Sequence, residues 1–197
     1  MAVNRPTLER PVNPPPKIPV IIALGDFASG VTSWAFRLRE AFADHPRYAI
    51  RLLNCADTGN RVGRFDLHAT TEVRARELLA ASGEAIVIPN FVWGLFPVCA
   101  ELIAAGQPLR CLGFCRADSE AEYYGPLRWY APLINQFAAV SPKCAVTLAD
   151  HLEVPSAAVH TLPSGVWVPP TLDRRYQTAP LRLAYGGRIV QEQKRVL

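Results

Sequence analysis

Four stretches of this chain combine side chains suited to chemistry with a setting where that chemistry can act. Near the end, Gly187-Arg188 is followed six residues on by Lys194. This sets one cation at a strand exit and another near a helix start, where both can meet a single phosphate group. A solvated basic helix start is the plainer reading of the same residues. Near the beginning, Gly25-Asp26-Phe27-Ala28-Ser29-Gly30 joins an apolar run to a helical pattern. A glycine there lets phosphate approach exposed helix amides, although an ordinary strand-to-helix turn explains the residues equally well. The spacing of Gly25 and Gly30 is that of an ATP-binding loop, but Val31 stands where its lysine belongs. A dinucleotide fingerprint fails as well: Phe27 replaces its second glycine, and Asn54, not an acidic residue, follows the second strand. The third stretch is Phe114-Cys115-Arg116-Ala117-Asp118. Arg116 suits a phosphorylated or carboxylated ligand and Asp118 can orient a hydroxyl, unless the two simply pair with each other. The fourth runs from Asp118 to Gly125 and sets acidic residues before Tyr123 and Tyr124. It reads either as a mobile loop with stacking rings for a ligand or as the acid-rich start of a helix.

The elements that must carry these residues follow from the hydrophobic pattern. Residues 18–24 form a short continuous apolar run, as in strands buried on both faces. Trp34, Leu38, Ala41 and Phe42 then recur at helical spacing. The alternation continues with strands predicted at 48–53, 85–89, 109–114 and 137–140, and helices at 71–81, 92–105 and 142–152. A helix over 123–134 is interrupted or bounded by Pro126 and Pro132, and Ser141-Pro142 makes a cap and first turn. Strands alternating with helices predict an α/β fold, a Rossmann-like doubly wound parallel sheet. The predicted organisation is a flexible Pro-rich leader at 1–17, one Rossmann-like domain at 18–168, a linker at 169–180, and the first strand and helix start of a second domain at 181–197. A lone strand at 181–185 cannot bury its own faces, so the natural protein is expected to continue, and that strand offers an edge for self-association.

Bulk properties narrow the classes. The 21 Lys and Arg exceed the 17 Asp and Glu, giving a net charge of +4 without dense basic runs, so no nucleic-acid partner is expected. A mildly basic surface leaves room for anionic nucleotides or a peripheral membrane contact. Five cysteines, odd in number and lacking a Cys-x-x-Cys pair, support neither a disulfide framework nor a zinc site. The four histidines are scattered, as surface or packing residues are. No apolar stretch approaches the ~18 residues of a membrane span, and the expected location is the cytoplasm.

Four blocks together resemble the retaining GT-B glycosyltransferases called family 4. Ser29-Gly30-Val31 resembles the family's glycine loop, and Phe137-Ala138-Ala139-Val140-Ser141 the strand and serine that end its acceptor domain. Leu162-Pro163-Ser164-Gly165-Val166 resembles its turn before the linker, and Tyr185-Gly186-Gly187-Arg188 with Lys194 its donor-phosphate motif. The resemblance implies two Rossmann-like domains facing across a cleft, with a sugar, lipid or small-molecule acceptor on the first and a nucleotide-sugar on the second, and no metal or other cofactor. It further implies that Arg188 and Lys194 grip the donor diphosphate while the Gly30 amide closes over it. Arg116 and Asp118 then fall at the catalytic position, and Ser29, Tyr123 and Tyr124 on the acceptor side. The sequence departs from the pattern where the family often has a histidine: the segment there holds Cys115 and Arg116. Its double glycine is reduced to Ser29-Gly30, and Ser164 and Trp167 replace the Asn and Asp that flank the later turn. The family's carboxylate pair falls beyond Leu197, so the chain alone is not expected to turn over. A non-catalytic glycan- or protein-binding module of the same fold is the rival reading.

Overall fold

The structure is a computed structural model that describes residues 15–26, 29–56 and 64–165. Within them seven strands form one sheet in the order β3-β2-β1-β4-β5-β6-β7, and every pairing is parallel. The strands are β1 (Ile18–Leu24), β2 (Tyr48–Asn54), β3 (Leu67–His68), β4 (Ala85–Ile88), β5 (Leu109–Cys115), β6 (Ile134–Ala139) and β7 (Val159–Thr161). The helices are α1 (Gly30–Ala41), α2 (Glu72–Ala80), α3 (Leu95–Ala104), α4 (Gly125–Trp129) and α5 (Pro142–Leu152). This is the Rossmann-like α/β fold, and its strand order reverses direction between β1 and β4.

Alternating side chains of the strands feed two cores. Val20, Ile22, Leu24, Leu52, Ile88 and Phe114 point to one face, where Trp34, Ala35 and Leu38 of α1 cover them. Ile21, Ala23, Leu53, Val87, Cys111 and Cys115 point to the other, beneath Leu79 of α2, Phe96 of α3, Leu127 of α4 and Leu148 of α5. Covering both faces explains why β1 is an unbroken apolar run, since each fully buried Leu or Ile stabilises the fold by roughly 1.5–3 kcal/mol. Gly113 in β5 admits α4 closely: a Cβ there would lie 2.9 Å from Leu127 Cδ2 and 3.0 Å from Ile134 Cδ1. Caps fix the helix starts. Ser29 Oγ accepts from the Thr32 amide at 3.1 Å, and Ser141 Oγ accepts from the Cys144 amide at 3.2 Å with Pro142 at the first position of α5.

The structure departs from the sequence expectation in three places. β3 and β7 were not predicted, because two and three residues are too few to show a period. β6 begins at Ile134, three residues before the predicted start, since Asn135 and Gln136 are exposed and interrupt the apolar pattern. The predicted helix over 123–134 is a π turn over Glu120–Tyr124, then α4, then a 3₁₀ turn over Ala131–Leu133. In the π turn the Ser119 carbonyl accepts from the amides of both Tyr123 and Tyr124, each at 3.1 Å. No helix of the described residues is long and apolar enough to cross a membrane. The predicted leader through residue 14, the linker, and the strand and helix start at 181–197 lie outside the described residues.

Candidate functional site

In an open parallel sheet, ligands bind beyond the carboxyl ends of the strands where the order reverses, because the connections diverge there and leave a crevice. In this chain that point lies between β1 and β4. The β1–β4 ladder ends at Ile22 and Ile88, and past it a side chain takes over the pairing: Asn90 Nδ2 donates to the Ala23 carbonyl at 2.9 Å. Asn90 is 2% exposed and has φ of 51°, the left-handed conformation that Asn tolerates better than most residues. Its Oδ1 accepts from Arg116 Nε at 2.9 Å. One asparagine thus ties β1 to β4 and aims the arginine that follows β5.

Two aromatic rings complete the setting of Arg116. Its Cζ lies 3.6 Å from the Trp34 ring centroid and 3.9 Å from that of Phe114. The two centroids are 5.4 Å apart, too close to flank the guanidinium on opposite sides, so they form a corner against it. Part of the Arg116 side chain reaches solvent, while Nη2 is buried and has no hydrogen-bond partner among the described residues. Burial pulls the Arg116 pKa down to about 9, against the opposing influence of Tyr123, and the group stays cationic at neutral pH. Burial likewise pushes the Tyr123 hydroxyl up to about 12, so it is a neutral neighbour. Cation–π contact of this kind contributes ~1–2 kcal/mol, whereas a buried donor without an acceptor costs ~1–3 kcal/mol and more when charged.

The start of α1 borders the same crevice, since Trp34 stands one turn into it. Gly30 is exposed, and a Cβ placed on it would meet nothing within 4 Å. Its amide is among those a helix leaves without an intrahelical partner. Ser29, predicted on the acceptor side, spends its hydroxyl on capping α1 and on a 2.9 Å contact with Thr32 Oγ1.

Asp118 is placed quite differently. Its carboxylate accepts from Tyr124 Oη at 2.9 Å and from Lys143 Nζ. Those bonds, with Lys143 the larger influence, hold its carboxyl below the usual carboxylate range. The alternative of an Arg116–Asp118 ion pair is therefore not what forms. Tyr123 and Tyr124 are 6% and 2% exposed, which corrects the reading of them as stacking rings of a mobile loop. The π turn rotates both adjacent rings inward, where Tyr124 stacks on His151 at 4.8 Å and Tyr123 meets Trp93 edge-on at 6.2 Å. The capped, acid-rich start is what the segment adopts, with Ser119 Oγ accepting from the Glu122 amide. Arg188 and Lys194 lie outside the described residues.

Sequence reasoning missed Asn90 and Trp34. Trp34 was legible only as part of an apolar stripe, and Asn90 only as a polar residue after Pro89 at a strand end. A cavity of about 130 Å³ opens on the opposite face of the sheet between the starts of α2 and α3, where Val92, Leu95 and Val98 form an apolar wall beside Cys55, Thr71 and Glu72.

 Burial pushes the Cys55 thiol up to about 12, so it remains protonated there. Among the described residues no cluster of His, Cys, Asp or Glu could hold a metal ion.

The strand order and the flanking helices define a Rossmann-like α/β domain. Solved structures of similar fold agree with that class. The chain is similar to an α-glucosyltransferase in complex with UDP and a 13-mer DNA containing an HMU base, at 12% identity and a TM-score of 0.56, over 77% of this chain and 43% of that one. It is similar to an α-glucosyltransferase in complex with UDP-glucose and DNA containing an abasic site, at 15% identity and 0.53, over 75% and 42%. An α-glucosyltransferase in complex with UDP gives 13% and 0.55, over 76% and 44%. The chain thus has a glycosyltransferase-like fold and spans under half the length of these structures. No family model and no curated protein matches it. Two of the three structures hold DNA, a partner that the dispersed basic residues of this chain gave no reason to expect.

Proposed function

We propose that this chain is the acceptor-side domain of a retaining glycosyltransferase of the GT-B, family 4 kind, which moves a sugar from a nucleotide-sugar to a sugar, lipid or small-molecule acceptor in the cytoplasm. The observation that carries the reading is the crevice at the switch point, where Arg116 is held by Asn90, Trp34 and Phe114 beside the start of α1. The four sequence blocks support it, as does the likeness in fold to glucosyltransferases.

The work assigned to these residues is electrostatic. A glycosidic bond breaks through an oxocarbenium-like state, and negative charge gathers on the departing diphosphate. Arg188 and Lys194 neutralise that charge from the donor side, and the Gly30 amide meets it from this domain. Arg116 places a fixed cation at the reacting end of the crevice. Asp118, committed to Lys143 and Tyr124, braces the turn that follows β5.

The test is sugar transfer by the full-length gene product, followed with UDP-glucose and a panel of acceptors, with the anomeric configuration read by NMR. Retained configuration is expected. Arg116→Ala and Arg188→Ala should each lower kcat by about 10²–10³, the size of effect seen when one charge-stabilising donor is removed. Unchanged turnover in both variants would overturn the reading.

A further inference from the structure

The cavity of about 130 Å³ between the starts of α2 and α3 lies past the ends of β2 and β3, where Cys55 and Ala69 follow the strands. Its wall is continuous with the core, since Ala69, Ala75, Leu95 and Val98 are all buried in the cluster on that face of the sheet. Small residues keep it open. Gly94 lines it with φ of −62°, which any residue adopts, and no atom lies within 4 Å of where its Cβ would stand. Neither backbone conformation nor close packing therefore requires a glycine there, and α3 starts without the side-chain cap that Thr71 gives α2. The polar part is as simple. Among the described residues that line the cavity Glu72 alone is charged, and among the described residues no cation pairs with it. The Cys55 thiol stays protonated beside it.

We propose that this cavity binds a neutral aromatic group of one phenol-sized ring. An apolar cavity of about 150 Å³ admits benzene, so a volume of about 130 Å³ suits a single ring and is too small for a nucleoside. The ring gains by leaving water for the wall of Val92, Leu95 and Val98. A hydroxyl on it can donate to the Glu72 carboxylate, whereas an anionic group would face that carboxylate with no cation in the lining to offset it. The site does not rest on the glycosyltransferase reading: the ring belongs either to the acceptor or to a separate small ligand.

Titration of the 197-residue chain with phenol and with phenyl phosphate, followed by NMR, tests it. Phenol should bind with a dissociation constant on the order of millimolar, and phenyl phosphate at least about tenfold more weakly. Ala75→Leu adds side-chain volume at the cavity wall and should weaken phenol at least about tenfold. Should that variant not fold by circular dichroism, Val92→Trp fills the cavity from a residue that is only partly buried and should weaken phenol by a similar factor. Val146→Ala, which removes an exposed apolar side chain of α5, should bind phenol as the wild type does. No binding of phenol by the wild type, equal binding by the folded cavity variants, or phenyl phosphate bound as tightly as phenol overturns the proposal. In the full-length protein, phenyl glucoside formed from UDP-glucose, with the KM for phenol raised in Val92→Trp, assigns the ring to the acceptor. Phenol that binds and stays unreacted while other acceptors turn over assigns it to a separate ligand.

Discussion

Arg116 and Asp118 stand two residues apart beyond β5, yet the fold satisfies one and leaves a nitrogen of the other without a partner among the described residues. Asp118 has a lysine, a tyrosine hydroxyl and an adjoining pair of buried rings around it. Arg116 has an asparagine, two rings and a buried amino group with no acceptor. A polar group whose partners are all internal holds structure together, whereas one kept short of a partner costs stability and calls for a separate explanation. On the proposed function that group is Arg116, and the segment from Asp118 to Tyr124 supports the turn beside it.

The contrast can be broken by substitution. Tyr124→Ala should show the largest effect, a loss of ~3–5 kcal/mol in chemical denaturation, because the ring is buried and its cavity cannot collapse fully. A loss below about 0.5 kcal/mol, typical of surface sites, would return Tyr124 to a mobile loop. Arg116→Met should change stability by no more than about 1 kcal/mol, since relief of an unpaired buried charge offsets the orphaned Asn90 Oδ1. A much larger loss would show that Arg116 is structural.

The smallest effect is expected for Asp118→Asn and appears in the pH profile. The folded carboxyl is held below its unfolded value, so its contribution is present above about pH 4 and is lost as pH falls through the folded pKa. The wild type should therefore lose more of its urea midpoint than Asp118→Asn does between pH 7 and pH 3. Equal losses would mean that the Lys143 and Tyr124 bonds do not hold Asp118 in solution.

How much of this was legible beforehand follows from how local each signal is. The apolar run of β1, the stripe of α1 and the Ser141-Pro142 start of α5 are written in neighbouring residues, and the structure places them as read. The π turn was not legible, because a single extra residue per turn leaves no mark in a periodicity. Arg116 was singled out by its place at a strand end. Asn90 was not, because its role depends on the Ala23 carbonyl 67 residues away in sequence.

By itself, the sequence determined the alternation of strands and helices, and with it the parallel α/β sheet and the strand ends at which a ligand could sit. Those features follow from side-chain period and caps, which act within a few residues. The tertiary structure alone decided which polar groups at those ends would be satisfied. It gave Lys143 to Asp118 across 25 residues and Asn90 to Arg116 across 26, and among the described residues it set no carboxylate against the arginine. Hydrogen-bond and charge pairing depend on distances in space, which the packing of the sheet against its helices sets.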